Sequence, residues 1–245
     1  FNNTTEPIIA TIVVTPTFQN GGVNCSTPEA TFTITVNPTA QVEPVASQVV
    51  CNGDLTTVDF ATDNTVGTTT YAWTSSSDLG SGLSGIGNIS FTAVNTTTDL
   101  LVSTFTVTPT FTNAGVSCVG PGETFTITVT PTAQVVEVED IVLCNGDLTT
   151  VVFTTENQNG TTLYTWTNND TSIGLAASGT GNIASFNATN TTTAPVTATV
   201  TVTPAYDSTL ECEGTPITFT ITVNPSAQVN TPDDIFICNG DVTSE

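Results

Sequence analysis

The sequence repeats itself every 93 or 94 residues. PTAQVEPVASQVVCNGDLTT begins at Pro38, PTAQVVEVEDIVLCNGDLTT at Pro131 and PSAQVNTPDDIFICNGDVTS at Pro225. TFTITV recurs from Thr31, Thr124 and Thr218, and YAW ending at Trp73 returns as YTW ending at Trp166. Solenoid repeats run to about 45 residues, because each must bury its apolar face on a neighbour. A period near 93 instead fits a whole β-sandwich domain of about 100 residues. The sequence therefore predicts an array of domains. Residues 1–37 read as the C-terminal part of a module, 38–130 and 131–224 as complete modules, and 225–245 as the N-terminal part of a further one. Such an array is expected to be a stretch of something longer. The alternative is a subunit whose incomplete modules are completed by a neighbour's strands.

Inside a module the apolar period is two. In TFTITV, Phe32, Ile34 and Val36 face one way and the threonines the other, the alternation of an antiparallel sheet with one wet face. The first complete module predicts strands at about 44–51, 56–61, 69–75, 88–94, 100–109 and 123–130, with a short seventh between Ser75 and Gly87. NGD, TDN and GPGE supply the turns. Seven short strands around one tryptophan predict an all-β, immunoglobulin-like sandwich, with Trp73 and Trp166 in the core of the third strand.

Composition narrows the function. The 245 residues include no Lys, Arg or His, against 22 Asp and Glu, for a net charge of −22. Phosphate neutralisation needs basic side chains, so nucleic acid is not an expected partner. Without His there is no Ser-His-Asp or Cys-His pair and no imidazole metal site; without Lys there is no Schiff base or P-loop. The chain is not expected to be an enzyme. Nor is it expected to be disordered, since its apolar fraction is 38% and its mean hydropathy +0.16. The sequence contains 57 threonines, which flank the Val, Ile and Phe positions as β-strand composition requires. No apolar run reaches the ~18 residues of a membrane span.

Between TFTITV and the next Cys-Asn-Gly-Asp there is no Gly/Ser tract. The join carries Pro38, Pro131 or Pro225, and proline fixes its own φ and extends the residue before it. Such joins predict a semi-rigid string of modules, a regular rod growing by roughly 40 Å per module from strands of about 3.3 Å per residue.

Six cysteines keep the repeat: Cys25, Cys51, Cys118, Cys144, Cys212 and Cys238. None forms the close pair of a zinc site, so they read as disulfides in an oxidising compartment. Pairing within modules gives Cys51–Cys118 and Cys144–Cys212, with Cys25 and Cys238 paired outside the segment. An immunoglobulin topology that separates the two cysteines of a module favours instead a staple between successive modules, Cys51–Cys212. Neighbour pairing, such as Cys25–Cys51, is a third alternative. Acidic turns add one metal candidate, calcium at Asp54, Asp147 and Asp241, with Glu139 and Asp140 or Asp233 and Asp234 joining in. Its alternative is a turn chosen for backbone preference.

The order CNGD, YxW, IGLxxSGxGxI, NTTT, VTP, C and TFTITVNP resembles the PKD-like, immunoglobulin-type repeats of very large Bacteroidetes surface proteins. The second module carries it in CNGD at 144–147, Tyr164-Thr-Trp166, Ile173-Gly-Leu175 and Gly179-Thr-Gly181. The resemblance implies a secreted array on the bacterial cell surface, of the kind exported by the type IX secretion system, with no catalytic residues. The function expected is a structural repeat array, forming a surface filament or the stalk of a giant adhesin. Its partners would be further copies of the module, with lateral self-association or surface glycans beyond them. A glycan- or calcium-binding sandwich module of a secreted protein is the alternative. A binding site should differ between modules, whereas here the near-identical parts are strands and joins.

Overall fold

A computed structural model describes residues 1–207, 210–240 and 242, with Asp207 described by its backbone alone. The described chain is all-β apart from one 3-10 turn at Thr171–Ile173. It divides into two compact units. One holds residues 1–134, 156–162 and 205–214; the other holds 135–155, 163–204 and the remainder from 215.

The first unit opens with β1 (Ile8–Val14), β2 (Thr17–Asn20), β3 (Val23–Ser26) and β4 (Ala30–Val36). It continues through β5 (Gln48–Cys51), β6 (Leu55–Val58), β7 (Thr68–Ser75), β8 (Ser84–Ile86), β9 (Ile89–Thr92), β10 (Leu101–Asn113), β11 (Val116–Val119) and β12 (Glu123–Thr130). One sheet runs β5-β12-β10-β7-β8, with β11 on the end of β10, and β6 pairs with β9 in a second, smaller sheet. Between them lies one core, built from Val58, Ile89 and Phe91 of the smaller sheet against Trp73, Phe105, Phe125, Ile127 and Val129 of the larger. Phe105 stacks on Phe125 at 5.4 Å and meets Trp73 at 5.8 Å. The alternation read from TFTITV is the cause: β12 buries Phe125, Ile127 and Val129 and turns Thr124, Thr126 and Thr128 outward. Burying each such side chain contributes roughly 1.5–3 kcal/mol.

Against the expected strands, the run at 56–61 ends already at Val58 and that at 88–94 covers only Ile89–Thr92, and three further differences are larger in consequence. The run expected at 44–51 is strand only from Gln48. Proline at 44 has no N–H to give a ladder, and Ser47 acts as an acceptor instead, its hydroxyl taking the Thr126 N–H at 3.0 Å. The run expected to end at Pro109 extends to Asn113. β7 pairs with it from Phe105 to Thr112, while β12 pairs only up to Val107 and β11 from Thr110, so the proline N–H is not missed by β12. Finally, β11 itself was not anticipated. The two-residue turn that makes it has positive φ at both Ala114 (50°) and Gly115 (76°), the backbone that twists with a hairpin.

The next repeat follows the same plan with β13 (Ile141–Cys144), β14 (Leu148–Val151), β15 (Thr161–Asn168), β16 (Ser178–Thr180), β17 (Ile183–Asn187), β18 (Val196–Asp207), β19 (Cys212–Glu213) and β20 (Ile217–Asn224), of which the first two residues of β15, the last three of β18 and all of β19 belong to the first unit. Its sheet order is β13-β20-β18-β15-β16, with β14 and β17 paired separately. Trp166, Ile183, Val200, Phe219, Ile221 and Val223 lie in its core. In both repeats the CNGD strand lies parallel to the last strand, Cys51 opposite Thr130 and Cys144 opposite Asn224.

Each core tryptophan lies across a glycine: a Cβ on Gly85 or Gly179 would run into the indole of Trp73 or Trp166. Gly85→Ala and Gly179→Ala should therefore each cost about 1–3 kcal/mol as overpacking, while Trp166→Ala should cost about 3–5 kcal/mol. Denaturant unfolding followed by far-ultraviolet circular dichroism checks both; unchanged midpoints would contradict this packing.

Candidate functional site

The CNGD turn shows what its residues are for. Gly53 and Gly146 adopt φ 94°, a region glycine enters without a Cβ clash. The Asp54 carboxylate accepts the Cys51 N–H at 3.2 Å, and the Asp147 carboxylate accepts the Cys144 N–H at 2.7 Å. These acids close the turn on their own backbone. Among the described residues no three His, Cys, Asp or Glu groups gather to hold a metal. Asp241, the third acid of the calcium set, lies outside the described residues. Of the acids named as accessories, Asp140 accepts the Thr220 N–H at 2.7 Å, and that hydrogen bonding holds its carboxyl below the usual aspartate pKa.

Asn52, in the same turn, points elsewhere. Its carbonyl oxygen accepts the Asn95 N–H at 2.8 Å, and its amide donates to the Thr132 hydroxyl at 2.8 Å in the proline join. Asn145 repeats both bonds, to Asn190 at 2.8 Å and Ser226 at 3.0 Å. Buried Asn95 in turn donates to the Asp99 and Val129 carbonyls, both at 2.8 Å, and accepts from the Thr97 N–H at 2.9 Å. This arrangement fixes the loop 95–99, and the loop presents the Thr98 carbonyl and the Asp99 carboxylate.

Both groups are used within the first unit. Thr98 accepts the Gln158 N–H at 2.8 Å, and the Asp99 oxygens accept from the Asn159 amide at 2.8 and 2.7 Å. Asn157 grips the join beside them, donating to the Thr132 carbonyl at 3.0 Å and accepting the Gln134 N–H at 2.7 Å. Tyr206 is buried beside Ala133, Cys212 and Cys51, its hydroxyl donating to the Gln158 carbonyl at 2.9 Å. Burial, with the Asp99 charge adding to it, raises the Tyr206 pKa above its usual value.

One repeat earlier the same joint recurs. Asn64 donates to the Thr39 carbonyl at 3.2 Å and accepts the Gln41 N–H at 2.7 Å. Thr65 N–H donates to the Thr5 carbonyl at 3.1 Å and its hydroxyl to the Glu6 carboxylate at 2.8 Å. Phe111 occupies the place of Tyr206 and is fully buried, against Gly67 where Tyr206 has Gly160. The left-handed residue before that glycine is Val66 (59°) in one joint and Asn159 (51°) in the other. Sequence reading missed Asn64, Asn157, Phe111 and Tyr206. Their signal was available, since TDNTVG and TENQNG recur at the module period.

The cystine seals the joint. Cys51 and Cys212 are disulfide-bonded with Cα atoms 5.6 Å apart, and the Thr130 hydroxyl lies 2.9 Å from Cys212 Sγ. The pairings within modules, Cys51–Cys118 and Cys144–Cys212, are not those of the structure. Their geometry explains why. Cys51 lies opposite Thr130, beside the Leu101 end of β10, while Cys118 lies opposite Phe111 near its other end. Ten residues of strand separate those ends by about 33 Å, against the ~4.4–6.8 Å between Cα atoms that a disulfide allows. The Cys25–Cys51 pairing is likewise absent. Cys25 pairs in register with Phe18 on the β2–β3 hairpin, as Cys118 does with Phe111 and Cys212 with Tyr206.

Asn157→Ala and Asn64→Ala should each lower stability by about 1–3 kcal/mol, because two backbone groups of the join lose their hydrogen-bond partner, each worth about 0.5–1.5 kcal/mol. Cys212→Ser should cost up to ~5 kcal/mol in the chain-entropy account of so long a loop. Added reductant should destabilise the wild type to the same point and leave Cys212→Ser unmoved. Calorimetry with and without reductant checks this; a reductant effect on Cys212→Ser would refute it.

No helix among the described residues is long and apolar enough to cross a membrane. No curated protein matches the chain. Among solved structures it is similar to Dpr2 Ig1-Ig2 in its complex with DIP-Theta, at 11% identity over 76% of this chain and 66% of that one, with a TM-score of 0.38. It is also similar to the extracellular cadherin domains 1–5 of protocadherin gamma B2, at 12% identity over 89% of this chain and 46% of that one, TM-score 0.36. The chain thus spans under two thirds of the first and under half of the second. Residues 141–227 match the PKD-like domain family, and the described chain is all-β, with immunoglobulin-like sandwich sheets in both repeats.

Proposed function

We propose that the chain is a length of an extracellular structural array, laid out as modules 38–130 and 131–224 with parts of neighbours on either side, and that the array forms a surface filament or the stalk of a giant adhesin. The observation that carries this reading is the joint made twice from the same bonds, around Asn64 and around Asn157. A module serving as a spacer needs a reproducible connection more than a variable surface. The disulfide supports an oxidising, extracellular setting. The sequence resemblance to Bacteroidetes repeats supports the bacterial cell surface and type IX export.

Further copies of the module are the natural partners. The β1–β4 pair carries Phe32, Ile34 and Val36 at 52, 48 and 40% exposure, whereas the equivalent Phe125, Ile127 and Val129 are 3, 0 and 0% exposed. What covers the latter is the rest of a sandwich, and another module half would cover the former in the same way. Lateral association is set against a charge of −22; like-charged rods repel, and salt screens the repulsion within about 8–10 Å.

Electron microscopy of the native source, labelled with an antibody against one module, tests the reading. Label spaced regularly along long fibres is the expected result. Label confined to short particles or to soluble protein would overturn it and favour a glycan- or calcium-binding module.

A further inference from the structure

The Cys51–Cys212 bond joins two positions that the repeat supplies again and again. Cys51 and Cys144 end the CNGD strand in the same register, opposite Thr130 and Asn224. Cys118 and Cys212 sit on the β10–β11 and β18–β19 hairpins, each opposite a buried aromatic residue, Phe111 or Tyr206. The joint around Phe111 shares with the one around Tyr206 the asparagine grip on the join, by Asn64 as by Asn157, and the backbone bond from Thr65 to Thr5, as from Gln158 to Thr98. It also has the counterpart of Thr130: Asn37, whose side-chain oxygen accepts from the Asn113 amide at 3.0 Å and whose amide donates to the Asn113 backbone carbonyl at 3.2 Å, at the hairpin tip. Cys118, half-buried there, bears a thiol, and so does exposed Cys144.

We infer that Cys51–Cys212 is one rung of a series, in which the cysteine of each CNGD turn is oxidised to the hairpin cysteine of the following repeat. The inference rests on the tandem-array reading and deepens it. Cys118 then takes the cysteine of a CNGD turn one repeat ahead of Cys51, and Cys144 takes the hairpin cysteine of the repeat after the one holding Cys212. Each rung forms from two thiols and one external disulfide. The thiols give up two protons and two electrons, one S–S bond forms in the protein, and the external disulfide leaves as two thiols. Every repeat thereby has two cysteines and no disulfide of its own; both bonds run outward, one each way.

The test extends the 245-residue chain at its N-terminus with a second copy of its residues 38–93, which places one more CNGD turn a repeat ahead of Cys51. The added copy carries Val49→Ile as a mass tag at an exposed position. The protein is oxidised with glutathione disulfide, free thiols are alkylated, and fragments cut at Asp and Glu are mapped without reduction. The expected map shows Cys51–Cys212 and a second cystine between the added, tagged cysteine and Cys118, with Cys118 alkylation lost and Cys144 alkylated. Cys118→Ser in the same chain should leave the tagged cysteine alkylated and Cys51–Cys212 intact. Closure of Cys51–Cys212 with Cys118 still alkylated would overturn the series and leave the joint standing. Failure of both bonds would overturn the joint and the array reading with it.

Discussion

The structure depends on how β10 is shared out. Its first seven residues, Leu101 to Val107, pair with β12 and complete the sandwich, while Thr110 to Asn113 pair with β11 and form a hairpin. The same strand thus serves two purposes. One stretch buries Phe105 and Val107 in its own core; the other buries Phe111 in a joint with residues 1–37 and their join. Neither half needs special chemistry. An alternating strand a few residues longer than its sheet produces both.

A chain without ammonium or guanidinium groups must satisfy its buried polar atoms by other means. Here asparagine, threonine and serine do it, with carboxylates as acceptors for backbone N–H groups. The side chains of Asn52 and Asn95 link turn, loop and join through six hydrogen bonds to one another and to their surroundings. Asp54, Asp140, Asp147 and Asp170 each accept from a nearby N–H. An asparagine amide has donors and an acceptor in one plane, so a single side chain can hold a carbonyl and an N–H of the same extended join, as Asn64 and Asn157 do. Of the acids that suggested a cation site, Asp54 and Asp147 are turn acceptors of this kind.

The fold was largely legible because period-two alternation and a 93-residue repeat are strong, redundant signals. Tryptophans at 73 and 166 lie in the cores where the alternation puts them. The joint was harder to read. Its strand β11 depends on a turn with Ala114 at positive φ, a conformation that alanine does not advertise. Its polar grip depends on which asparagine side chains face a join some 23 residues away, and periodicity carries no such information. The cystine needed both: only when the β10–β11 hairpin is seen to carry Cys118 some ten residues beyond the level of Cys51 does the pairing within a module become unreachable.

The cystine closes a loop of 161 residues of sequence separation, and everything from Asn52 to Glu211 lies inside it. A single break of the backbone anywhere in that span, in an exposed loop or through a strand, produces two fragments that remain one covalent molecule. Polypeptide continuity and mechanical continuity are therefore separate properties of this stretch, and only damage that also reduces Cys51–Cys212 can part it.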